Sequence, residues 1–257
     1  MQHTGRAALR LLHYWWPLGV GWSYMMVVQR ATALTPDPFG LLALLSGILA
    51  AYSLDRVVDP GTTSRRPALD WLLALTGGAA ALVCLAAASR LPVQTASIIP
   101  LLGATALVYS RLKRHLIVKT ILLPAVWIWA ALALPFNDGS WLGWRVLLQP
   151  VTAPLLLLNA AGCLLCDLKD EARDRRDGVR SLAAIYGGSA TIRTAAALSL
   201  AAAGLAIVEH RAGLVFSAAA LGAAMTVPSI LAIDVIGPLM VDVILTLPGI
   251  LISAHVV

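Results

Sequence analysis

Charge is scarce in this 257-residue chain: Asp, Glu, Lys and Arg make up 12% of it, against roughly a quarter in an average soluble domain. Hydrophobic residues supply 59% and the mean hydropathy is +0.82. A water-soluble globular domain and a disordered chain are both excluded, and an integral membrane protein is what remains. Cysteine is scarce too. Cys84, Cys163 and Cys166 fall in or beside apolar stretches, where they read as small packing residues and not as a disulfide framework. Cys163-Leu-Leu-Cys166 has CxxC spacing but no histidine near it, so it does not read as a zinc or redox motif, and His13, His115 and His210 lack metal-ligand spacing and read as interfacial. No charged n-region with a short apolar run and small-residue cleavage site opens the chain, so the first span is expected to be retained.

A span needs about 20 apolar residues. Dividing the sequence at its polar and Pro/Gly punctuation predicts nine spans, at 11–33, 38–58, 69–89, 92–110, 116–136, 143–166, 189–208, 212–232 and 235–256. Pro150 and Pro154 predict a kink near the start of the sixth. The isoelectric point near 9.7 is a matter of membrane topology and gives no reason to expect nucleic acid. Arg65, Arg66, Arg111, Lys113, Arg114, Lys169, Arg173, Arg175, Arg176 and Arg180 follow spans two, four and six, with Arg6 and Arg10 before span one. The opposite loops hold little more than Arg90, Arg145 and Arg211. The positive-inside rule then places the amino terminus on the cytoplasmic side.

The few acids are concentrated. Asp55-Arg-Val-Val-Asp59 closes span two and Asp167-Leu-Lys-Asp170-Glu-Ala-Arg-Asp174 closes span six. Carboxylates three, four and seven residues apart share one face of a helix, and clustered negative charge at membrane depth marks a functional site by default. Acids alternating with Lys169, Arg173, Arg175, Arg176 and Arg180 suit magnesium and a phosphate-rich ligand together, because magnesium takes one or two carboxylates plus phosphates and waters. Arg65 and Arg66, after the first cluster, would neutralise the remaining charge. The plainer alternatives are a solvated loop with local pairing and an interfacial ion pair between Asp55 and Arg56. Lys119, just inside span five, needs a counter-charge such as a diphosphate, or else snorkels to the headgroups. Asp242, in the middle of the last span, also needs a partner, and the sequence names none. Asn159, two turns before Asp167, reads first as a helix–helix hydrogen-bonding residue.

These elements together resemble the UbiA superfamily of intramembrane prenyltransferases. Asp167, Asp170, Asp174, Gly178, Arg180 and Ser181 fit its second motif, D-x-x-D-x-x-x-D-x-x-x-G-x-(K/R)-(S/T), in register. Tyr109, Ser110, Leu112, Lys113 and Lys119 match its Tyr-Ser…Leu-Lys…Lys element, and Arg66-Pro67 its Arg-Pro. The first motif departs from the pattern. Asp55 and Asp59 keep the later acids, but Ala51 and Tyr52 occupy the positions of an Asn-Asp pair whose Asn ligates metal in the family.

The resemblance implies one all-α transmembrane domain over residues 1–257, with about nine helices around a central cavity under a cytoplasmic cap. It implies magnesium held by Asp55, Asp59, Asp170 and Asp174, with Lys119 completing the catalytic set. The diphosphate would be bound by Arg65, Arg66, Tyr109, Lys113, Lys119, Asp167 and Arg180. The expected reaction is transfer of an isoprenyl group from its diphosphate to a lipophilic, aromatic acceptor with release of pyrophosphate. A terpene cyclase that ionises the diphosphate without an acceptor is the alternative, followed by a non-catalytic isoprenoid-binding protein. Trp15, Trp16, Trp22, Tyr24, Trp127 and Trp129 are candidates to line the cavity, or serve as belt and packing residues.

Overall fold

The structure is a computed structural model that describes residues 12–58, 67–112, 115–116, 118–136, 140 and 143–255. All regular structure among them is helical. The main helices are α1 (Pro17–Thr32), α2 (Pro38–Val58), α3 (Pro67–Ala88), α4 (Ile98–Leu112), α5 (Leu123–Ala133), α6 (Thr152–Cys166), α7 (Glu171–Asp177), α8 (Gly188–Val208), α9 (Ala212–Ala224) and α10 (Ile236–Ser253). Each of the nine predicted spans contains helix. Four segments, Asp70–Ala88, Thr152–Asp177, Gly188–Val208 and Ile236–Ser253, are long and apolar enough to cross a membrane.

Proline sets several boundaries. Pro17, Pro38 and Pro67 open α1, α2 and α3 at the first position, where a missing N–H costs nothing. The kink predicted for span six is a full break: a short turn over Trp144–Leu147 precedes Pro150, and α6 begins at Thr152. Span four is also divided, into Val93–Ala96 and α4. α5 is entered through a π-helical turn, Val118–Leu122.

α10 carries Pro248 inside its length, which removes the hydrogen bond that the Ile244 carbonyl would otherwise accept from four residues on. The Ser217 hydroxyl of α9 donates to that carbonyl instead, at 2.9 Å. An orphaned backbone group in an apolar bundle is thus satisfied by a neighbouring helix.

α1, α5, α6 and α10 form the inner set, packed α1 on α5 and α10, and α6 on α5 and α10. α2 pairs closely with α3 on one flank, while α8 and α9 cover the other. The last helix closes against the first through small residues: a Cβ on Gly249 would meet Ser23 Cα at 2.6 Å, and the Gly249 N–H donates to Ser23 Oγ at 2.9 Å. A Cβ on Gly162 of α6 would meet the Leu245 side chain of α10 at 2.9 Å. Close backbone approach over small residues is how helices associate where no hydrophobic force separates helix from solvent. The outer faces carry exposed Leu72, Leu75, Leu82 and Leu85 on α3, and Leu200, Ile207 and Val208 on α8, a surface matched to lipid.

Candidate functional site

Where α6 ends, its apolar run gives way to charge. Asp167–Asp170 tightens into a 3₁₀ turn, and α7 continues from Glu171 to Asp177. Gly178 stops α7 at φ +68°, with its N–H bonded to the Asp174 carbonyl, a left-handed position that glycine occupies without a Cβ penalty. Ser181 then caps the next short helix, Leu182–Tyr186, by accepting from the Ala184 N–H at 3.2 Å. Gly178 and Ser181 therefore shape the loop that presents the acids.

Lys119 reaches this loop from the π turn before α5. Its Nζ lies 3.1 Å from Asp167 Oδ1 and 2.6 Å from Asp174 Oδ2, and the three side chains are 12%, 13% and 5% exposed. An extra residue in the turn alters the direction of the side chains that follow, and such π turns recur at functional sites. The counter-charge that Lys119 requires is supplied by the second acid cluster itself. Desolvated ammonium and carboxylates hold one another here, and removing any one leaves a buried charge uncompensated.

The three acids do not all converge. Asp170 turns to Lys169, at 2.8 Å, and to Arg173, at 3.2 Å. Cations one and three residues away compete for it more directly than Lys119 does. Lys169 Nζ also stands 4.0 Å from Asp234, just before α10. Farther out, Arg175 pairs with Glu171 at 2.8 Å and Arg180 is exposed. Tyr109 is half-buried on α4 and Asp55 lies on α2, its side chain outside the described residues. Asp59, Arg65, Arg66 and Lys113 also lie outside them. Among the described residues, no three His, Cys, Asp or Glu side chains are gathered as a metal site.

Deeper in the bundle is a polar band. Tyr24 of α1 donates to Asn159 Oδ1 at 3.1 Å, and Asn159 Nδ2 donates to the Pro124 carbonyl at 3.2 Å, joining α1, α6 and α5. Asn159 thus has the helix-bridging role read from its sequence position. Trp127 Nε1 donates to the Tyr52 hydroxyl at 3.3 Å, and the Tyr24 and Trp127 rings meet edge to face, 6.2 Å apart. Tyr52 is one of the two residues standing where the family motif has Asn-Asp, and its link to Trp127 crosses from α2 to α5.

Tyr52 on α2, Cys163 and Cys166 on α6 and Asp242 on α10 are each half-buried. The Asp242 carboxyl, which the sequence left without a partner, has neither an ion pair nor a hydrogen bond among the described residues; its backbone carbonyl accepts from Thr246 Oγ1 at 2.8 Å. An open pocket of about 330 Å³, lined in part by Arg30, His210, Arg211 and Ile252, lies toward the far end of α10.

Among solved structures, the apo structure of a UbiA homolog from Aeropyrum pernix K1 is similar, with a TM-score of 0.67 and 17% identity over 92% of this chain and 98% of that one. No family model matches the sequence, and no curated protein matches it. At this identity the likeness is one of fold: the chain is an all-helical membrane protein with the architecture of a UbiA homolog.

Proposed function

We propose that this chain is a magnesium-dependent intramembrane prenyltransferase, transferring an isoprenyl group from its diphosphate to a lipophilic aromatic acceptor. The observation that carries the reading is Lys119 held by Asp167 and Asp174 at the charged end of α6, on a UbiA-like fold. The donor set fits magnesium chemically: Asp170 and Asp174 offer hard carboxylate oxygens, and the ion needs few protein ligands when phosphates and water complete its shell. Asp55 and Asp59 would join them from the end of α2. Bound magnesium supplies positive charge to the departing diphosphate.

The remaining work falls to the chain's own side chains. Lys119, fixed by two carboxylates, presents an ammonium where negative charge develops on the leaving oxygen, and a preorganised charge in a dry site acts more strongly than one in water. Arg65, Arg66, Lys113 and Arg180 provide further cations for the diphosphate, and Tyr109 a hydroxyl. The apolar walls of the inner helices hold the isoprenyl tail and keep water from the cation. The acids face the cytoplasm in this reading, because the basic loops do.

Purified protein in detergent is expected to release pyrophosphate from geranyl, farnesyl or geranylgeranyl diphosphate with magnesium and not with EDTA. Asp174→Ala should lower that rate at least about a hundredfold, by analogy with the loss of a preorganised transition-state contact. Absence of release from all three substrates, across a panel of phenolic acceptors, overturns the proposal. The aromatic cluster of Tyr24, Tyr52 and Trp127 favours one second reading, a terpene cyclase, since aromatic faces stabilise a migrating cation. Cyclic product formed with no acceptor present would select it.

A further inference from the structure

α8 starts at Gly188, just after the loop that presents the acids, and ends at Val208. Its 21 residues rise about 30 Å, the thickness of a bilayer's hydrocarbon core. At its far end His210, at φ +57°, reverses the chain in a left-handed position that glycine or asparagine more often fills, and α9 begins at Ala212. The pocket of about 330 Å³ lies at this reversal. Arg30 of α1, His210 and Arg211 form its polar part, Leu214, Pro248 and Ile252 its apolar part, and no acid lines it among the described residues.

The arginines are not used up within the chain. Arg211 Nη2 donates to the Ala31 carbonyl at 3.2 Å, which satisfies a group at the end of α1, but its buried Nε has no hydrogen-bond partner. Most of its five N–H donors stay unengaged among the described residues. The Arg30 guanidinium has neither an ion pair nor a hydrogen bond among them. Closing the end of α1 therefore accounts for one bond of Arg211 and for nothing at Arg30. The first turn of α9, which borders the pocket, carries no acid and no side-chain cap, and the N–H groups at a helix start favour an anion.

We propose that this pocket binds the phosphate head of an anionic membrane lipid, in the leaflet opposite the acid cluster. Arginine's planar fork matches two phosphate oxygens at once. Ile207 and Val208, just before the reversal, and Phe216, just after it, are exposed, so the chain on both sides of the pocket faces lipid. A soluble anion would leave Leu214, Pro248 and Ile252 against water, whereas a lipid phosphate brings its glycerol and the start of its acyl chains to cover them. A zwitterionic lipid carries the same phosphate but sets its own cation against Arg30 and Arg211. The site uses no residue of the acid end, so it stands apart from the transferase reading.

The test is binding of dihexanoyl phosphatidylglycerol and dihexanoyl phosphatidylcholine to the full chain in neutral detergent, by equilibrium dialysis against protein-free micelles. Wild type is expected to hold the anionic lipid at least about tenfold tighter after correction for micelle partition, as two basic side chains at a lipid headgroup allow. The double variant Arg30→Met, Arg211→Met should erase that preference, and Arg90→Met, which removes an exposed arginine outside the pocket, should keep it. Exchanging chloride for inorganic phosphate at equal ionic strength should also keep it. Equal binding of the two lipids by wild type overturns the proposal, as does a preference that survives in the double variant or falls as far in Arg90→Met. A preference removed by inorganic phosphate assigns the pocket to a soluble anion and overturns the lipid. If the double variant does not fold, an undiminished preference in Arg30→Met, whose side chain is exposed, overturns it.

Discussion

The acid end of α6 and the middle of α10 both place carboxylates in an apolar bundle, and they treat them in opposite ways. Asp167 and Asp174 share Lys119, while Asp170 is held by Lys169 and Arg173. Asp242 has no such partner among the described residues. Charge at the first site is balanced within the chain, so its stability depends on every member being present. At the second a single carboxyl stands without a counter-charge, so removing it breaks no pair.

The contrast breaks most sharply at Lys119. Lys119→Met removes the cation that two buried carboxylates share and should destabilise the folded chain by about 3–5 kcal/mol, as breaking a buried ion pair from one side does. Unfolding in mixed micelles with increasing SDS measures it. Asp242→Leu, read in the same assay, should leave stability unchanged or raised, because it removes an unpaired polar group from an apolar helix. Equal losses in the two variants would mean that the two regions are not different in kind.

Much of this was legible in the chain before any coordinates. The nine apolar windows each hold helix, and the chain is interrupted near Pro150, where a kink is predicted and a full break is found, because length, hydropathy and proline act locally. Register within the second acid motif is local too, so the roles of Gly178 and Ser181 follow from backbone geometry. The partner of Lys119 was not legible. Fifty-five residues separate it from Asp174, and a π turn, which no periodicity reveals, decides where its ammonium points. For the same reason, spacing alone suggested that Asp167, Asp170 and Asp174 aim at one point. Near-neighbour cations took Asp170 elsewhere. Tyr52 and Trp127 lie on two helices distant in sequence, and only packing brings them into hydrogen-bond reach.

A smaller effect tests the inner polar band that joins α1, α5 and α6. Tyr24→Phe removes the donor to Asn159 Oδ1 in a buried site. Helix-bridging hydrogen bonds in membranes contribute modestly, since the unfolded state also finds partners, so the expected loss is about 1 kcal/mol. The same SDS titration reads it. A loss near that of Lys119→Met would show that the inner band, and not the acid end, is what holds α1 to α6.

The smallest effect lies at the solvated edge of the acid cluster. Arg175 and Glu171 are four residues apart on α7, and their ion pair at 2.8 Å joins side chains 53% and 31% exposed. The distance is as short as those at Lys119, but geometry alone does not set the energy. Water already solvates both charges, salt screens them, and two long side chains lose rotamer freedom to meet. Arg175→Ala is therefore expected to change stability by less than about 0.5 kcal/mol, and to change it less still at high salt. A larger loss, measured in the same micelles, would mean that Arg175 is desolvated by the loops around it and belongs with Lys119, on the self-balanced side of the comparison.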